Sequence, residues 1–427
     1  MDIISHQLDN GLKVIFVDTK SFSTITTLLL VGAGSRYENE KNNGIAHFFE
    51  HMAFKGSKKY PNSFLISSTI EGIGAIFNAF TGKDHTGYWI KATNKHFDKT
   101  IDVLSDMVIH PLLSEEEIER EKGVIIEEYN LYEDTPYRKV SEIFEGLLYK
   151  GNALGYDIVG TKENVKSFKK SVFTEYINDL YQPDNAVLVV AGGIEGQQDK
   201  YLKLIKEKFD NWKKTKDPDG YQKIIEKQTQ PQLLIKTKKT EQAHFCIGHR
   251  AFSFFDDRKY ALNVLSVILG GGMSSRLFIQ VRERRGLCYY ISTGREHYAD
   301  AGNIVTQAGI INDLKKIKEA IKVILKEQQK IVEGNFSEVE LDRAKELIKG
   351  RFLINIEDSS QVANFYASKY ILEKKTVQPE EVIKKVEQVT KAEVQSLAKQ
   401  IFVPQNLNFA LIGPFQKTDF TANDFLV

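Results

Sequence analysis

The chain contains two copies of one sequence pattern, and this repeat constrains the fold more than any other feature. A helix end, a proline turn and an apolar strand occur around Pro183, in YINDLYQPDNAVLVVAGG, and again around Pro404, in LAKQIFVPQNLNFALIGP, 221 residues later. Earlier in each copy, a helix start at Ser114 matches one at Ser337, an offset of 223. Two matches at nearly one offset predict two copies of a unit of about 210 residues, an ordinary domain size.

The repeat divides the 427 residues into three parts. We predict a first unit over residues 1–215, a linker over 216–232 and a homologous second unit over 233–427. The linker is rich in charged residues and turn formers and has little hydrophobic periodicity. Within each unit, strand-like apolar runs alternate with long amphipathic helices. This alternation predicts an α+β fold in which each unit is a mostly antiparallel sheet covered by helices on one face.

Charge and cysteine content exclude several classes of function. Lys and Arg together number 58 and Asp and Glu 57, so no net field attracts nucleic acid or an anionic membrane. Cys246 and Cys288 lack ligand spacing, which argues against a disulfide framework and favours the reducing cytosol. Neither a signal peptide nor a run of 18 apolar residues is evident. The sequence therefore predicts a soluble cytoplasmic protein without nucleic-acid or membrane partners.

Residues 43–57, NGIAHFFEHMAFKGS, place His47, Glu50 and His51 within an apolar segment that is typical of a buried helix. Offsets of 0, 3 and 4 bring the three side chains to one helix face. Two imidazoles one turn apart can chelate one zinc ion, and the carboxylate can reach a water molecule at the metal. The HxxEH order is that of the inverzincins. The alternative is a chance pattern or a site that has lost its metal.

A third ligand must come from elsewhere, and the helix that starts after Ser114 offers two candidates. Glu121 and Glu128 fall on the same stripe as the apolar Ile118 and Ile125. Buried carboxylates are costly unless a cation, hydrogen bonds or a metal compensates them. We predict Glu128 as the third ligand and Glu121, two turns earlier, as a residue that orients a ligand histidine. The alternative is that both glutamates pair with basic side chains.

The second copy serves as an internal control for these residues. Glu121 corresponds to Ala344 and Glu128 to Arg351, and the segment equivalent to the histidine motif, SVILGGGMSS, contains no ligand residue. The second unit is therefore predicted to lack a zinc site. Because the repeat persists without the carboxylates, they belong to the function of the first unit rather than to its folding.

Four segments together closely resemble the M16 zinc peptidases: HFFEHMAFKGS, NAFTGKDHTGYW, EREKGVIIEEYNLYEDTP and VRERRGLCYY. This family, with a LuxS-like metallohydrolase fold, includes pitrilysin, insulysin and mitochondrial processing peptidase. The two-unit length is most similar to its shorter bacterial and mitochondrial members, and the resemblance covers essentially the whole chain. It implies one Zn²⁺ per chain, held by His47, His51 and Glu128. It also implies Glu50 as the general base and Glu121 as a supporting residue.

The resemblance extends to substrate-binding residues. It implies that Asn78, Ala79 and Phe80 lie on an edge strand that binds an extended peptide by β-augmentation. It further implies that Arg282 grips the substrate carbonyl and that Tyr289 donates a hydrogen bond to the oxyanion. Without the family, an arginine in RERR would be interpreted as a solvated helix face and the tyrosine as a packing residue.

The resulting hypothesis is a zinc metalloendopeptidase that cleaves short or unfolded peptides inside a clam-shell chamber. Larger family members carry four such units in one chain, so a two-unit chain implies a homodimer in which Arg282 and Tyr289 complete the partner's zinc site. Two alternatives remain open. The chain could be a presequence-processing peptidase that needs a dissimilar partner subunit, or a noncatalytic assembly subunit. The second alternative usually shows an eroded HxxEH motif.

Overall fold

The computed structural model describes residues 1–20, 23–225 and 227–426 of the chain. Its strands fall into two series, one for each copy of the repeat. The first series is β1 (Asp2–Gln7), β2 (Lys13–Asp18), β3 (Thr24–Val31), β4 (Ile76–Thr81), β5 (Thr86–Thr93) and β6 (Ala186–Gly192). The second series is β7 (Gln232–Thr237), β8 (Gln242–Ala251), β9 (Cys288–His297), β10 (Gly302–Ile311) and β11 (Asn408–Gly413).

The α-helices connect these strands in both halves of the chain. Those of the first half are α1 (Ile45–Ala53), α2 (Ser63–Glu71), α3 (Phe97–Ile109), α4 (Glu115–Glu133), α5 (Pro136–Leu148), α6 (Lys162–Ser167), α7 (Lys170–Leu180) and α8 (Gln198–Phe209). Those of the second half are α9 (Lys259–Gly270), α10 (Leu314–Val332), α11 (Glu338–Asn355), α12 (Ser359–Glu373), α13 (Pro379–Glu387) and α14 (Lys391–Ile401).

The two sheets share one topology, which confirms the predicted duplication. The first sheet has the order β1-β2-β6-β3-β5-β4 and the second has the order β7-β11-β8-β10-β9. With β1 set aside, each strand of the first sheet has a counterpart at the same place in the second. In each sheet one pair is parallel, β2 with β6 and β7 with β11. The other described pairs are antiparallel, as the sequence predicts.

Helices cover both faces of each sheet, so the prediction of helices on one face is wrong. On the first sheet, Ile15, Leu28 and Val189 form a core with Val362 and Tyr366 of α12. On the second, α5 packs on β8 and β11, opposite the core that contains α9, α10 and α14. The physical reason is visible in β6, where every residue is buried. Such a continuous apolar run indicates a strand covered on both sides.

The compact units do not follow a contiguous division of the chain. One unit contains residues 1–129, 156–222 and 353–378, and the other contains 130–155, 223–352 and the chain from 379 onward. The division into residues 1–215, 216–232 and 233–427 was made from the sequence repeat and stays a prediction, whereas the compact units combine segments from both halves of the chain. The reason is that two helices are exchanged between the halves of the sequence. Helix α12, from the second half, packs on the first sheet, and α5, from the first half, packs on the second sheet. We call the two packed assemblies unit 1 and unit 2.

Among the residues that the structure describes, no helix has the length and apolar character needed to cross a bilayer.

Candidate metal centre

Helix α1 is anchored in unit 1 by aromatic residues. The Phe48 ring packs edge to face on Phe173, with centroids 5.0 Å apart, and Phe49 packs in the same manner on Tyr181 at 4.8 Å. Met52 is also buried. The pairs contribute about 0.5–1.5 kcal/mol each beyond the area that they bury. This packing fixes the apolar stripe of α1 in the core and leaves the other stripe for the polar residues of the motif.

Three possible metal ligands converge beside α1. The Nε2 atoms of His47 and His51 each lie 3.5 Å from Oε2 of Glu128, and the two imidazole centroids are 4.7 Å apart. One ligand atom from each residue lies within 4.8 Å of the others. Tetrahedral zinc with bonds of about 2.0–2.1 Å needs neighbouring ligand atoms about 3.4 Å apart. The two histidine–glutamate separations match this spacing, and the three side chains are therefore close enough together to share one ion.

Glu121 links the histidine motif to a lysine. Its Oε1 lies 2.9 Å from Nδ1 of His51, and its Oε2 lies 2.6 Å from Nζ of Lys55. Glu121 is 3% exposed, so both partners compensate a buried negative charge. A proton shared between Glu121 and Nδ1 leaves Nε2 of His51 free to bind a metal.

Charge around His51 favours a cation. Burial lowers the pKa of His51, but the hydrogen bonds to Glu121 and Glu128 outweigh it and raise the pKa to about 9. Burial raises the pKa of Glu121, whereas its contacts with His51 and Lys55 lower it below the usual value. The carboxylates thus attract either a proton or a metal ion to the imidazole. Metal binding at this position must displace the proton.

Glu50 has its own hydrogen-bond donor. The hydroxyl of Thr81, at the end of β4, donates to Oε2 of Glu50 over 2.6 Å. Nearby, the hydroxyls of Tyr88 and Tyr181 lie 2.9 Å apart. Burial is the main reason that the pKa of both tyrosines is raised, and the negative charge of Glu50 adds to the effect. The hydroxyls of both tyrosines therefore stay protonated and interact electrostatically with Glu50.

The sequence analysis missed Thr81 and Lys55. A signal for Thr81 existed, because it lies two residues after Ala79 and alternation along a strand directs both to one face. Lys55 lies four residues after His51, just beyond the C-terminal end of α1. Neither residue type indicates a site by itself, so only the folded arrangement identifies their contacts.

Asn78, Ala79 and Phe80 lie on β4, one of the two edge strands of the first sheet. They pair with Trp89, Tyr88 and Gly87 of β5, in that order. The opposite side of β4 has no neighbouring strand in the described sheet. An edge strand presents backbone donors and acceptors to which an extended peptide can pair.

Arg282 and Tyr289 belong to unit 2, in a different unit from the histidines. Arg282 lies in the π-helical segment Phe278–Glu283, and Tyr289 lies near the start of β9, one of the two edge strands of the second sheet. The guanidinium carbon of Arg282 is 5.7 Å from the centre of the Tyr289 ring. Tyr289 is 75% exposed. The two residues therefore form a neighbouring pair with an accessible phenol.

The equivalent position in unit 2 has different chemistry. Ala344 of α11 is buried, and Arg351 donates from Nη1 to the carbonyl of Gly271 over 2.7 Å. Gly271 follows the last residue of α9, where unpaired carbonyls are normally left. Within the described ranges, the group of His47, His51 and Glu128 alone has the geometry of a three-ligand metal site. An arginine thus replaces the ligand carboxylate and binds backbone.

Comparisons with known proteins place these features in a family. Residues 13–162 match the family model described as Insulinase (Peptidase family M16), and residues 167–348 match the Peptidase M16 inactive domain. The chain is 32% identical over 406 residues to the uncharacterized zinc protease YmxG of Bacillus subtilis, which covers 95% of this chain and 97% of that one. The chain belongs to peptidase family M16. The predicted family and fold are thereby confirmed.

Other M16 relatives extend the comparison. An uncharacterized zinc protease of Streptomyces coelicolor is 28% identical and covers 96% of this chain and 89% of its own. The mitochondrial-processing peptidase subunit beta of Bos taurus is 29% identical over 418 residues, with 96% of this chain and 84% of that one covered. A solved protease structure from Helicobacter pylori superposes with a TM-score of 0.90 at 24% identity, over 97% and 99% of the chains, which shows a shared fold.

Proposed function

We propose that this M16 chain is a zinc-dependent endopeptidase that hydrolyses short or unfolded peptides. The observation that carries the proposal is the convergence of His47, His51 and Glu128, whose ligand atoms all lie within 4.8 Å of one another. Each histidine Nε2 is 3.5 Å from Oε2 of Glu128, close to the spacing around a tetrahedral ion, and Glu50 lies on the same helix as the histidines. Relatives named as zinc proteases support zinc as the metal. One three-ligand group among the described residues is the basis for proposing one ion per chain.

Each side chain of the site has a role in this mechanism. His47, His51 and Glu128 would hold one zinc ion, which would supply the Lewis acidity needed to acidify water and polarise a carbonyl. Glu50 acts as the general base, takes a proton from the attacking water and transfers it to the leaving amine. The Thr81 hydroxyl orients the Glu50 carboxylate. Glu121 holds the Nδ1 proton of His51 and thereby keeps its Nε2 directed toward Glu128, where the ion would bind.

The substrate in this proposal is an extended peptide that pairs with the free edge of β4. Backbone groups around Asn78, Ala79 and Phe80 supply the hydrogen bonds, which explains how many sequences could bind. Such pairing requires an unfolded segment of several residues. Folded proteins are therefore poor substrates, in keeping with cleavage in an enclosed chamber.

Arg282 and Tyr289 complete the proposal in a homodimer. In this arrangement the guanidinium binds the substrate carbonyl and the phenol donates to the oxyanion of the partner's site. The exposure of Tyr289 supports a role toward a group outside unit 2. We test it by mixing Glu50→Gln chains with Tyr289→Phe chains, because a mixed dimer regains one intact site. Mixed chains no more active than either variant alone would exclude completion in trans.

A second candidate function is the removal of targeting presequences together with a dissimilar partner subunit. The similarity to a mitochondrial-processing peptidase subunit beta favours it. Cleavage of peptides by the purified chain alone would support the first candidate, whereas activity only with a partner would support the second.

A noncatalytic assembly role is disfavoured because His47, Glu50 and His51 are all present. The cytoplasmic location stays a prediction, which the free and buried Cys246 and Cys288 support.

The deciding experiment compares the wild type with Glu50→Gln and with the control Glu127→Gln, a substitution at an exposed position of α4. Metal content is measured by mass spectrometry, and cleavage is followed on a quenched-fluorescent peptide library with and without chelator. We expect Glu50→Gln to keep one zinc ion and lose at least about 10²-fold in turnover. The control should match the wild type. Retained cleavage in Glu50→Gln would remove Glu50 as the base.

A further inference from the structure

The first turn of α1 is capped in an unusual way. Its N-cap residue is Gly44, with φ +102°, which has no side chain to accept a hydrogen bond. The backbone N–H groups of a first turn nevertheless need acceptors. Glu38, six residues before Gly44, supplies them. Its Oε2 accepts from the Gly44 N–H at 2.9 Å, and its Oε1 accepts from the Ala46 N–H at 2.8 Å.

The Glu38 carboxylate is enclosed by its donors. It is 5% exposed, and the Asn43 side-chain amide donates a third hydrogen bond to Oε2 at 2.8 Å. Burial raises the pKa of Glu38 to about 7. The hydrogen bonds that Glu38 accepts from Ala46, Gly44 and Asn43 lower the pKa, but they do not outweigh burial. A buried carboxylate is costly unless hydrogen bonds compensate it, and the three donors supply that compensation here.

The residues around Glu38 form a fixed support for the helix start. The Asn43 amide also donates to the carbonyl of Asp157 at 2.9 Å, and the Asn164 amide donates to the carbonyl of Asn43 at 3.1 Å. A Cβ at Gly160 would lie 2.4 Å from the Asn43 carbonyl oxygen, so the two backbone segments are in close contact. Glu38 therefore links the first turn of α1 to a well-packed loop.

The two ligand histidines are oriented by different means. His51 receives direct side-chain support, because its Nδ1 contacts Glu121. The buried Nδ1 of His47 has no hydrogen-bond partner among the residues that the structure describes. The direction of the His47 ring therefore depends on the position of its backbone and on packing. Ala46, which donates to Glu38, is the residue immediately before His47.

We propose that Glu38 is a positioning residue for the metal centre, which holds the first turn of α1 so that His47 faces Glu128. This role rests on the proposed function, because it concerns the ligand set of the zinc site. A glutamine has the same shape but cannot accept all three hydrogen bonds, since its amide nitrogen only donates. Glu38→Gln should thus loosen the first turn and leave the ligand residues themselves unchanged.

The test measures zinc affinity by competition with a chromophoric chelator and the visible absorption of the Co²⁺-substituted chain. The control is Glu393→Gln, which alters a capping carboxylate at the start of α14 in unit 2. We expect Glu38→Gln to weaken zinc binding about tenfold, in the range seen for residues that support metal ligands, and to alter the Co²⁺ spectrum. The control should stay within about twofold of the wild type, a change too small to indicate support of a ligand.

Asn43→Ala provides a milder variant if Glu38→Gln does not fold, and we expect it to weaken zinc binding about threefold through the loss of one donor to Glu38. Circular dichroism of the metal-free chains confirms that the variants compared are folded. Folded variants with wild-type affinity and spectrum would overturn the role of Glu38 while the proposed function stands. A wild-type chain that binds no zinc would overturn the proposed function itself, and this role with it.

Discussion

Unit 1 and unit 2 have the same strand order, yet one carries a metal centre and the other does not. Helix α1, which follows β3 in unit 1, contains His47, Glu50 and His51. Its counterpart in unit 2 is α9, which follows β8 and contains neither histidine nor glutamate. In the later helix of each copy, Glu121 and Glu128 of α4 correspond to Ala344 and Arg351 of α11. The difference shows that the fold persists without the site.

The two units also differ in the free-energy cost of the charged groups at these equivalent positions. In unit 1 the buried Glu121 needs both His51 and Lys55 as partners. In unit 2 the buried Ala344 needs none, and Arg351 binds a backbone carbonyl. Unit 1 therefore maintains a cluster of charges that folding does not require. Such a cluster is typical of a functional site.

The largest expected effect comes from replacing Glu128 in unit 1 by arginine, the residue at the equivalent position 351 in unit 2. We expect Glu128→Arg to abolish zinc binding and reduce peptide cleavage to background, because a guanidinium cannot act as a ligand and repels the cation. Metal analysis and the library assay measure the change. The reciprocal Arg351→Glu is the control, which should gain no zinc in unit 2 and leave the zinc content at one. Zinc retained by Glu128→Arg would contradict the ligand assignment.

The exchanged helices allow a matched comparison of packing. Val140 of α5 and Val362 of α12 are both buried, each on the second face of a sheet. We expect Val140→Ala and Val362→Ala to lower the free energy of unfolding by about 2 kcal/mol each, from lost apolar burial and a small cavity. Urea titration measures both. A cost below about 0.5 kcal/mol at either position would indicate that the helix does not cover that sheet.

A smaller effect is expected at Glu121. Its substitution by glutamine removes the negative charge but keeps a group that accepts from Nδ1 of His51. We expect zinc affinity to fall about tenfold while the chain stays folded. Chelator competition measures this, with Glu127→Gln on the outer side of α4 as the control. If Glu121→Gln binds zinc as tightly as the wild type, the carboxylate does not tune the ligand histidine.

The smallest effect concerns an ion pair next to α12. Asp358 accepts from Nζ of Lys91 at 2.7 Å, with its side chain 47% exposed. Burial raises the pKa of Asp358, but Lys91 and Ser360 outweigh this and lower it to about 2. Because the folded pKa is depressed, the stabilisation is complete above about pH 4 and is lost as the pH falls through 2.

We therefore expect Asp358→Asn to cost less than about 1 kcal/mol at pH 7 and nothing below about pH 2. Urea titrations at both pH values measure the difference, with the exposed pair of Arg120 and Glu116 on α4 as a reference for solvent screening. A cost that persists at the lower pH would mean that Asp358 acts through packing or capping rather than charge.

Much of this arrangement could be predicted from the sequence. The repeat predicted the shared topology, and the HxxEH spacing with the buried stripe of α4 predicted the residues that converge. These signals are local, since helical and strand periodicity depend on neighbouring residues. The exchange of α5 and α12 was not predicted, because an amphipathic helix does not specify which sheet it covers. The buried run of β6 did carry the signal of a second covered face.

The supporting residues of the site were the least predictable. Thr81, Lys55 and Glu38 are of types that are common on surfaces, and their partners lie 31, 66 and 6 to 8 residues away along the chain. Only the fold brings them to Glu50, Glu121 and the start of α1. Likewise, no periodicity in the sequence predicts the π-helical turn at Arg282.

The central claim is that one metal ion binds in unit 1 and none in its duplicate. Anomalous diffraction at the zinc edge, from crystals grown with zinc, tests it most directly. We predict one peak at about 2.0–2.2 Å from Nε2 of His47, Nε2 of His51 and a carboxylate oxygen of Glu128, and no peak beside Ala344 and Arg351. Absence of the first peak, or a zinc ion held by other residues, would contradict the account.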